Sequence, residues 1–329
     1  MKKISICTAC YNEEENIVKF YTKISSVMSQ LENYDYEIVF SDNASTDNTQ
    51  KFLRELASKD KRVKVIFNNR NFGALRSGKN CLFRSTGDAV ISIPCDLQEP
   101  PSMINEFIEQ WEKGFKVVWG QKEKSEENTL MYALRGLYYK ILSLFSVIPP
   151  YKHVTGFGIV DREVIEHARQ MSDNFTGFKT NILEMGYQVK LIPYAQKKRK
   201  GGKSSYNFLR YSDLAIRTLV NSSDKPLRMA TFLGLISSVV SFIIGMFYLV
   251  MKLLYWDNFS AGFAPIVVGL FFLGSIQLLF IGIVGEYVGQ ILRRITPTPL
   301  VIERECLNFT DDKIETTMEE KKGGFMHGR

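Results

Sequence analysis

Two uncharged runs, Met229–Met251 and Phe263–Gly285, each of 23 residues, constrain this chain more than any other feature. As helices rising 1.5 Å per residue they reach about 34 Å against a hydrocarbon core of about 30 Å, so each is expected to cross a bilayer. The link between them carries only Lys252 and Asp257, whereas Lys225 and Arg228 precede the first run and Arg293 and Arg294 follow the second. Cationic flanks stay on the cytoplasmic side, which puts the link outside and both long ends of the chain in the cytosol. A helical hairpin buried in a soluble core is the alternative for such runs. Mean hydropathy near zero averages a polar stretch up to about residue 228 with the apolar runs that follow.

The polar part alternates strands and helices. Residues 3–10 read as a strand, and 14–31 carry Ile17, Phe20, Ile24, Val27, Met28 and Leu31 at helical spacing. The alternation returns as strand 36–41 with a helix from about Asp47, strand 62–67 with a helix from about Gly73, and strand 88–93 with a helix from about Pro101. Further strands are expected at 115–120, 156–160 and 188–193, separated by helical patterns around 127–147 and 161–185, with the domain closing near residue 195. This order predicts an α/β fold, a mostly parallel sheet covered on both faces, whose ligands lie beyond the carboxyl ends of the strands. The loop KKRKGGKSSYNF follows, and 207–222 then reads as a basic amphipathic helix suited to a membrane interface, or otherwise as a helix facing the core.

Five cysteines form no small-domain disulfide framework and suit a reducing compartment. Cys7 and Cys10, three apart on a strand, point to opposite faces. The start MKKISICTACYNEEE is not a secretory signal, because its apolar stretch is short and acidic residues follow. The 42 Lys plus Arg against 35 Asp plus Glu give +7, which suits an anionic membrane face, a phosphorylated substrate or a nucleic acid. Clustering of the positive charge beside the apolar runs disfavours nucleic acid.

Polar clusters stand where the strands end. Asn12–Glu15 follows the first strand and Asp42-Asn43-Ala44-Ser45-Thr46-Asp47 the second. Short polar side chains there cap the next helix or present a carboxylate to a nucleoside. After the fourth strand, Asp96, Gln98 and Glu99 precede a Pro-Pro that opens a helix. A hard divalent cation on a diphosphate needs only one or two protein oxygens, because phosphates and water complete its shell. Asp96 and Gln98, two apart, suit that task.

In chain order, YNEEENI, DNASTDNT, NRNFG, STGD, CDLQEPP, TGFGIVDR, the R-x-x-G-x-S-x-Y at Arg199, Gly202, Ser204 and Tyr206, KPLR and GEYVGQI resemble the family 2 glycosyltransferases that load polyprenyl phosphate. The pattern is similar to bacterial undecaprenyl-phosphate glycosyltransferases and to dolichol-phosphate mannose synthases, over about residues 3–302. The resemblance implies a GT-A fold and an inverting transfer from a nucleotide sugar, UDP-linked, to undecaprenyl (polyprenyl) phosphate, for cell-envelope glycan or lipid modification. It implies a divalent metal, Mg2+ or Mn2+, at Asp96 and Gln98. By position it puts Tyr11, Glu13 and Asp42 at the nucleoside, and Arg199, Lys203, Ser204 and Tyr206 in a loop over the donor and acceptor phosphates, with Asp96 and Arg199 as the catalytic residues. The organisation expected is a catalytic domain over 1–196, a basic loop and juxtamembrane helix over 197–228, a two-helix hairpin over 229–288, a cytosolic segment over 289–309 and a disordered tail over 310–329. The enzyme would then be a multi-pass protein of the inner membrane, in contact with its lipids. Gly234, Gly245, Gly269, Gly274, Gly282 and Gly285 would let spans pack closely, within one chain or in a homo-oligomer.

Three positions depart from the family pattern. Pro94 stands at the first aspartate of the acidic D-x-D, and Asn43 stands where a second aspartate is common. The family's G-D-F-R-L is here Thr155-Gly156-Phe157-Gly158-Ile159, without the aspartate often proposed as catalytic. A hydroxyl acceptor needs a general base, but a phosphate monoester is already anionic at neutral pH and acts as its own nucleophile. Transfer onto another lipid, or a catalytically silent sugar-nucleotide-binding scaffold, are the other functions compatible with the sequence.

Overall fold

The computed structural model describes residues 1–123, 151, 153–171, 177–195, 263–295 and 299–309, with scattered helical positions between 232 and 254. The helical pattern at 127–147, the basic loop, the amphipathic helix at 207–222 and the tail at 310–329 lie outside the described residues. Two compact units are present, one drawn from ranges 1–126, 151–202 and 298–329, the other from 127–150 and 203–297.

In the first unit, β1 (Lys2–Cys10), α1 (Ile17–Met28), β2 (Tyr34–Asp42), α2 (Thr49–Lys59), β3 (Val63–Asn68), α3 (Ala74–Arg84), β4 (Ala89–Ser92) and α4 (Met103–Glu112) repeat the βα alternation. They are followed by β5 (Val117–Lys122), β6 (Val154–Asp161), α5 (Arg162–Gln170), α6 (Phe178–Glu184), β7 (Val189–Tyr194) and, after the second unit, β8 (Glu303–Leu307). The strands form one sheet in the order β7-β5-β6-β4-β1-β2-β3-β8. β1 pairs in parallel with β2 and β4, β2 with β3, and β5 with β7; β6 runs antiparallel to β4 and β5, and β8 antiparallel to β3.

The sheet is buried on both faces, as its near-continuous apolar strands require. One face packs Ile17, Phe20 and Ile24 of α1, Leu53 of α2 and Phe107 of α4; the other packs Cys81 and Leu82 of α3, Val164 and Ile165 of α5 and Ile182 of α6. Cys10 belongs to the first cluster and Cys7 to the second, the opposite facing expected from their spacing. All five cysteines are free.

Three elements differ from the sequence expectation. Helix α1 begins at Ile17 rather than 14, because the N–H groups of Asn16 and Ile17 close a turn on the Glu13 carbonyl. The single helical pattern at 161–185 contains two helices: the Asp161 carboxylate accepts the Glu163 N–H at 2.9 Å to start α5, which stops at an extended Met171. The sheet does not end near residue 195. β8 returns to its far edge, where Glu305 takes a two-pronged bond from Arg54 at 2.5 and 2.7 Å and Glu303 pairs with Arg84 at 3.4 Å.

In the second unit, α7 (Phe263–Ile295) is 33 residues long, and its 18-residue window Phe272–Gly289 has mean hydropathy 1.6 with none of it buried. Among the described residues it is the one helix long and apolar enough to cross a membrane. The described residues of the first apolar run are helical, and Phe232, Leu235, Ile243, Phe247 and Leu254 are exposed. A Cβ on Gly234 would sit 3.6 Å from the Phe280 ring of α7, an ordinary contact.

At the amino end of the sheet, Glu37 is 1% exposed yet ionised. Burial by itself would raise its pKa, but ammonium groups of Lys3 and Lys64 at 2.8 Å, the Ser5 hydroxyl at 2.7 Å and the Thr86 N–H at 2.7 Å outweigh that and hold it at about 2. A folded-state pKa below the ordinary 4.5 means that this stabilisation is complete above about pH 4.5 and is lost as the pH falls toward 2. Glu37→Gln is therefore expected to lower stability at neutral pH by about 3 kcal/mol and to flatten the loss of stability between pH 4.5 and 2. Denaturant titrations of wild type and variant across that range measure both effects; equal stability at neutral pH would show that the network contributes nothing.

Candidate active site

β1, β2 and β3 add outward in one direction, and the chain then crosses back to lay β4 on the other side of β1. The turns leaving β1 and β4 diverge at this reversal, the position at which open α/β sheets bind ligands. Cys10 pairs with Asp42 and Cys7 with Ser92, so the turns beginning at Tyr11, Asn43 and Ile93 leave the same edge side by side.

The first two turns are stitched together. The Asn12 N–H donates to the Ser45 hydroxyl at 2.9 Å, Asn12 Oδ1 accepts the Thr46 N–H at 2.8 Å, the Glu13 N–H donates to the Thr49 hydroxyl at 2.8 Å, and Glu14 accepts from the N–H and side-chain amide of Asn48. Asn12 and Ala44 take positive φ, 55° and 61°, to make this fit. Tyr11 projects from the seam, 46% exposed. Glu13 is partly buried and accepts from the Asn16 amide at 2.6 Å. Asp42 is fully buried: its carboxylate accepts the Ser45 N–H at 3.2 and 3.3 Å, and burial pushes its pKa up. It is thus turned inward, holding Ser45 in place.

Asn43 is buried too. Its side-chain oxygen accepts the Phe72 N–H at 2.9 Å and its NH2 donates to Asn71 Oδ1 at 2.8 Å, fixing the N-R-N-F-G turn beside the second turn. An aspartate here would lack that donor.

In the third turn, Asp96 is partly exposed, and Leu97 takes φ 58° so that the Gln98 N–H donates back to Asp96 Oδ1 at 3.2 Å. Glu99 is 3% exposed and receives the Tyr194 hydroxyl at 3.3 Å; burial first and the Asp96 charge second push its pKa up. Burial and Glu99 likewise raise that of Tyr194. Sequence reasoning noticed Glu99 but did not assign it a part, and gave no signal for Tyr194, which lies 95 residues away. Asp96 and Gln98 are hard oxygen donors of the kind Mg2+ or Mn2+ accepts, and they fit an ion whose other ligands are phosphate and water. Among the described residues no group of three or more His, Cys, Asp or Glu forms a self-sufficient metal site. Arg199, Lys203, Ser204 and Tyr206 lie outside the described residues.

The sequence pattern of glycosyl transferase family 2 matches residues 5–169, which include all three turns. The chain belongs to this family. The SfII prophage-derived bactoprenol glucosyl transferase of Shigella flexneri is 32% identical over 304 residues, 91% of this chain and 97% of that protein. The prophage bactoprenol glucosyl transferase homolog of Escherichia coli K12 is 31% identical over 292 residues, 88% of this chain and 94% of its own length. A solved mannosyltransferase of Pyrobaculum calidifontis, in complex with GDP-Man and Mn2+, is 18% identical with a TM-score of 0.47, over 69% of this chain and 64% of that one, and adds nothing to the family assignment.

As a family 2 glycosyltransferase the chain is an enzyme by descent, and its backbone accounts for one of the sequence departures. β6 runs antiparallel to β4, so its first residues, Val154–Gly156, stand at the edge that carries Asp96. Gly156 has φ +95°, a conformation strained for any L side chain, although open space surrounds it. Gly158 is closed by contact instead, since a Cβ there would lie 2.1 Å from the Val118 carbonyl oxygen. Putting the aspartate back, Gly156→Asp, is therefore expected to lower stability by about 1–2 kcal/mol without raising sugar transfer. Thermal unfolding and turnover of the variant check this, and a gain in either would show that the backbone admits an aspartate.

Proposed function

We propose that the protein transfers a sugar, with inversion, from a UDP-sugar to undecaprenyl phosphate at the cytosolic face of the inner membrane, making a lipid-linked sugar for cell-envelope glycan or lipid modification. One observation carries the reading: three polar turns meet at the switch point of a family 2 domain, in a chain that also bears a long apolar helix with no buried window. The names of the relatives, bactoprenol glucosyl transferases, support the same acceptor.

In this reading residues 1–196 are a GT-A catalytic domain, and the two apolar runs cross the membrane as a hairpin with both chain ends cytosolic. Tyr11 offers its exposed ring to the base, Glu13 lines the same pocket, and Asp42 supports it from below. Asp96 and Gln98 hold Mg2+ or Mn2+, which when bound supplies positive charge to the leaving nucleoside diphosphate. The family resemblance assigns Arg199, Lys203, Ser204 and Tyr206 to the two phosphate groups. The acceptor phosphate, with a second pKa near 6, arrives ionised, so the residues have to align it and exclude water rather than remove a proton. This suits a site with glycine at 156.

Full-length protein in nanodiscs, given UDP-glucose and Mg2+, is expected to release UDP only when undecaprenyl phosphate is added. Asp96→Asn is expected to cut that release at least about 100-fold while leaving thermal stability unchanged. UDP release from no UDP-sugar tried, or release indifferent to the lipid phosphate, would overturn the reading.

A further inference from the structure

Lys179, in α6, is a partly buried ammonium with no counter-ion among the described residues. Its Nζ donates to the Val154 carbonyl at 3.0 Å, and no carboxylate among the described residues pairs with it. Burial alone acts on its pKa and lowers it. A cation withdrawn from water and left uncompensated is costly unless an anion completes it. Elsewhere in this unit the fold avoids that cost, as the two lysines on Glu37 show.

Its place in the fold indicates what the anion is. Ser92 of β4 stands opposite Gly158 of β6, and the strands are antiparallel, so Val154, four residues before Gly158, lies past the carboxyl end of β4, the end from which the chain runs on to Asp96. Thr155, the residue after Val154, bonds Tyr194 through its side chain, the Tyr194 hydroxyl bonds Glu99, and both Tyr194 and Glu99 feel the charge of Asp96. Val154 also pairs with Gln121, next to Lys122, whose charge reaches Glu99.

We propose that Lys179 is a phosphate-binding residue of this site, its ammonium taking an oxygen from a phosphate group of one of the two substrates. The proposal rests on the sugar-transfer reading above, in which both substrates carry phosphate: a diphosphate on the donor and a monoester on the acceptor. An ammonium meets such an oxygen as a point charge, without the planar geometry that a guanidinium imposes.

The test uses full-length protein in nanodiscs, with Lys179→Met to remove the charge at nearly constant length and Lys179→Arg to keep it. UDP affinity is measured by calorimetry with Mg2+ and no lipid, and KM is measured separately for UDP-glucose and undecaprenyl phosphate. Lys179→Met is expected to weaken one substrate by roughly 10-fold or more, and Lys179→Arg to recover most of the loss. Weaker UDP binding identifies the donor diphosphate; a higher KM for undecaprenyl phosphate with unchanged UDP binding identifies the acceptor. UDP affinity and both KM values within twofold of wild type would overturn the proposal, as would a lower melting temperature with no change in either substrate. If wild type transfers nothing to undecaprenyl phosphate, the transfer reading fails by itself and UDP binding alone decides: a roughly 10-fold loss in Lys179→Met supports Lys179, and unchanged affinity overturns it.

Discussion

Everything at the candidate site depends on β1 being an interior strand with parallel neighbours on both sides. Apolar side chains on its two faces commit it to the middle of the sheet, and the reversal of strand order across it brings the ends of β4, β1 and β2 together. Backbone groups in those turns have no ladder partners and need others. Much of the polar content at the strand ends meets that need: Asn12, Ser45, Thr49 and Glu14 close one turn on another, and Asp42 holds Ser45. The acidic count of the turns therefore overstates the carboxylates free to meet a ligand. Tyr11 and Asp96 remain on the outer side of this scaffold.

The handling of charge differs between the two ends of the sheet. At the amino end Glu37 has two lysines, a hydroxyl and an amide, and is held firmly ionised. At the carboxyl edge Asp42 and Glu99 are pushed toward neutrality by burial, and Lys179, bonded to the Val154 carbonyl and to no carboxylate among the described residues, is pushed the same way. The groups at the second place are of the kind that an incoming cation or phosphate would relieve, which is why the proposed site is put there.

The parts of this architecture legible in the sequence are those written in local periodicity. Strands β1 to β7 and helices α1 to α4 carry apolar patterns long enough to read, and their alternation points to the fold class. β8 was illegible because its five residues, Glu303–Leu307, are mostly charged and polar and its pairing partner lies over two hundred residues earlier. The split between α5 and α6 turns on caps at Asp161 and Gly177, which a continuous apolar pattern conceals. At the site, residue types at strand ends were readable, but orientation was not. Nothing in D-N-A-S distinguishes a carboxylate facing a nucleoside from one turned inward onto Ser45, and the Tyr194–Glu99 contact exists only once β7 has joined the sheet beside β5.

The departures from the family pattern are of different kinds. Asn43 is built into the scaffold, donating to Asn71 where an aspartate has no proton to give. Gly156 belongs to a backbone that turns through φ +95°, a conformation that disfavours the aspartate the family resemblance would put there. A transferase acting on a hydroxyl would have to replace that base. One acting on a phosphate monoester would not, since the ionisation that a base would achieve is already complete in the substrate; catalytic demand then shifts from proton removal to holding two anionic groups together against their repulsion. Cations, rather than carboxylates, limit such a site. The residues that matter next are the ones that carry positive charge to the edge where β4 and β6 meet.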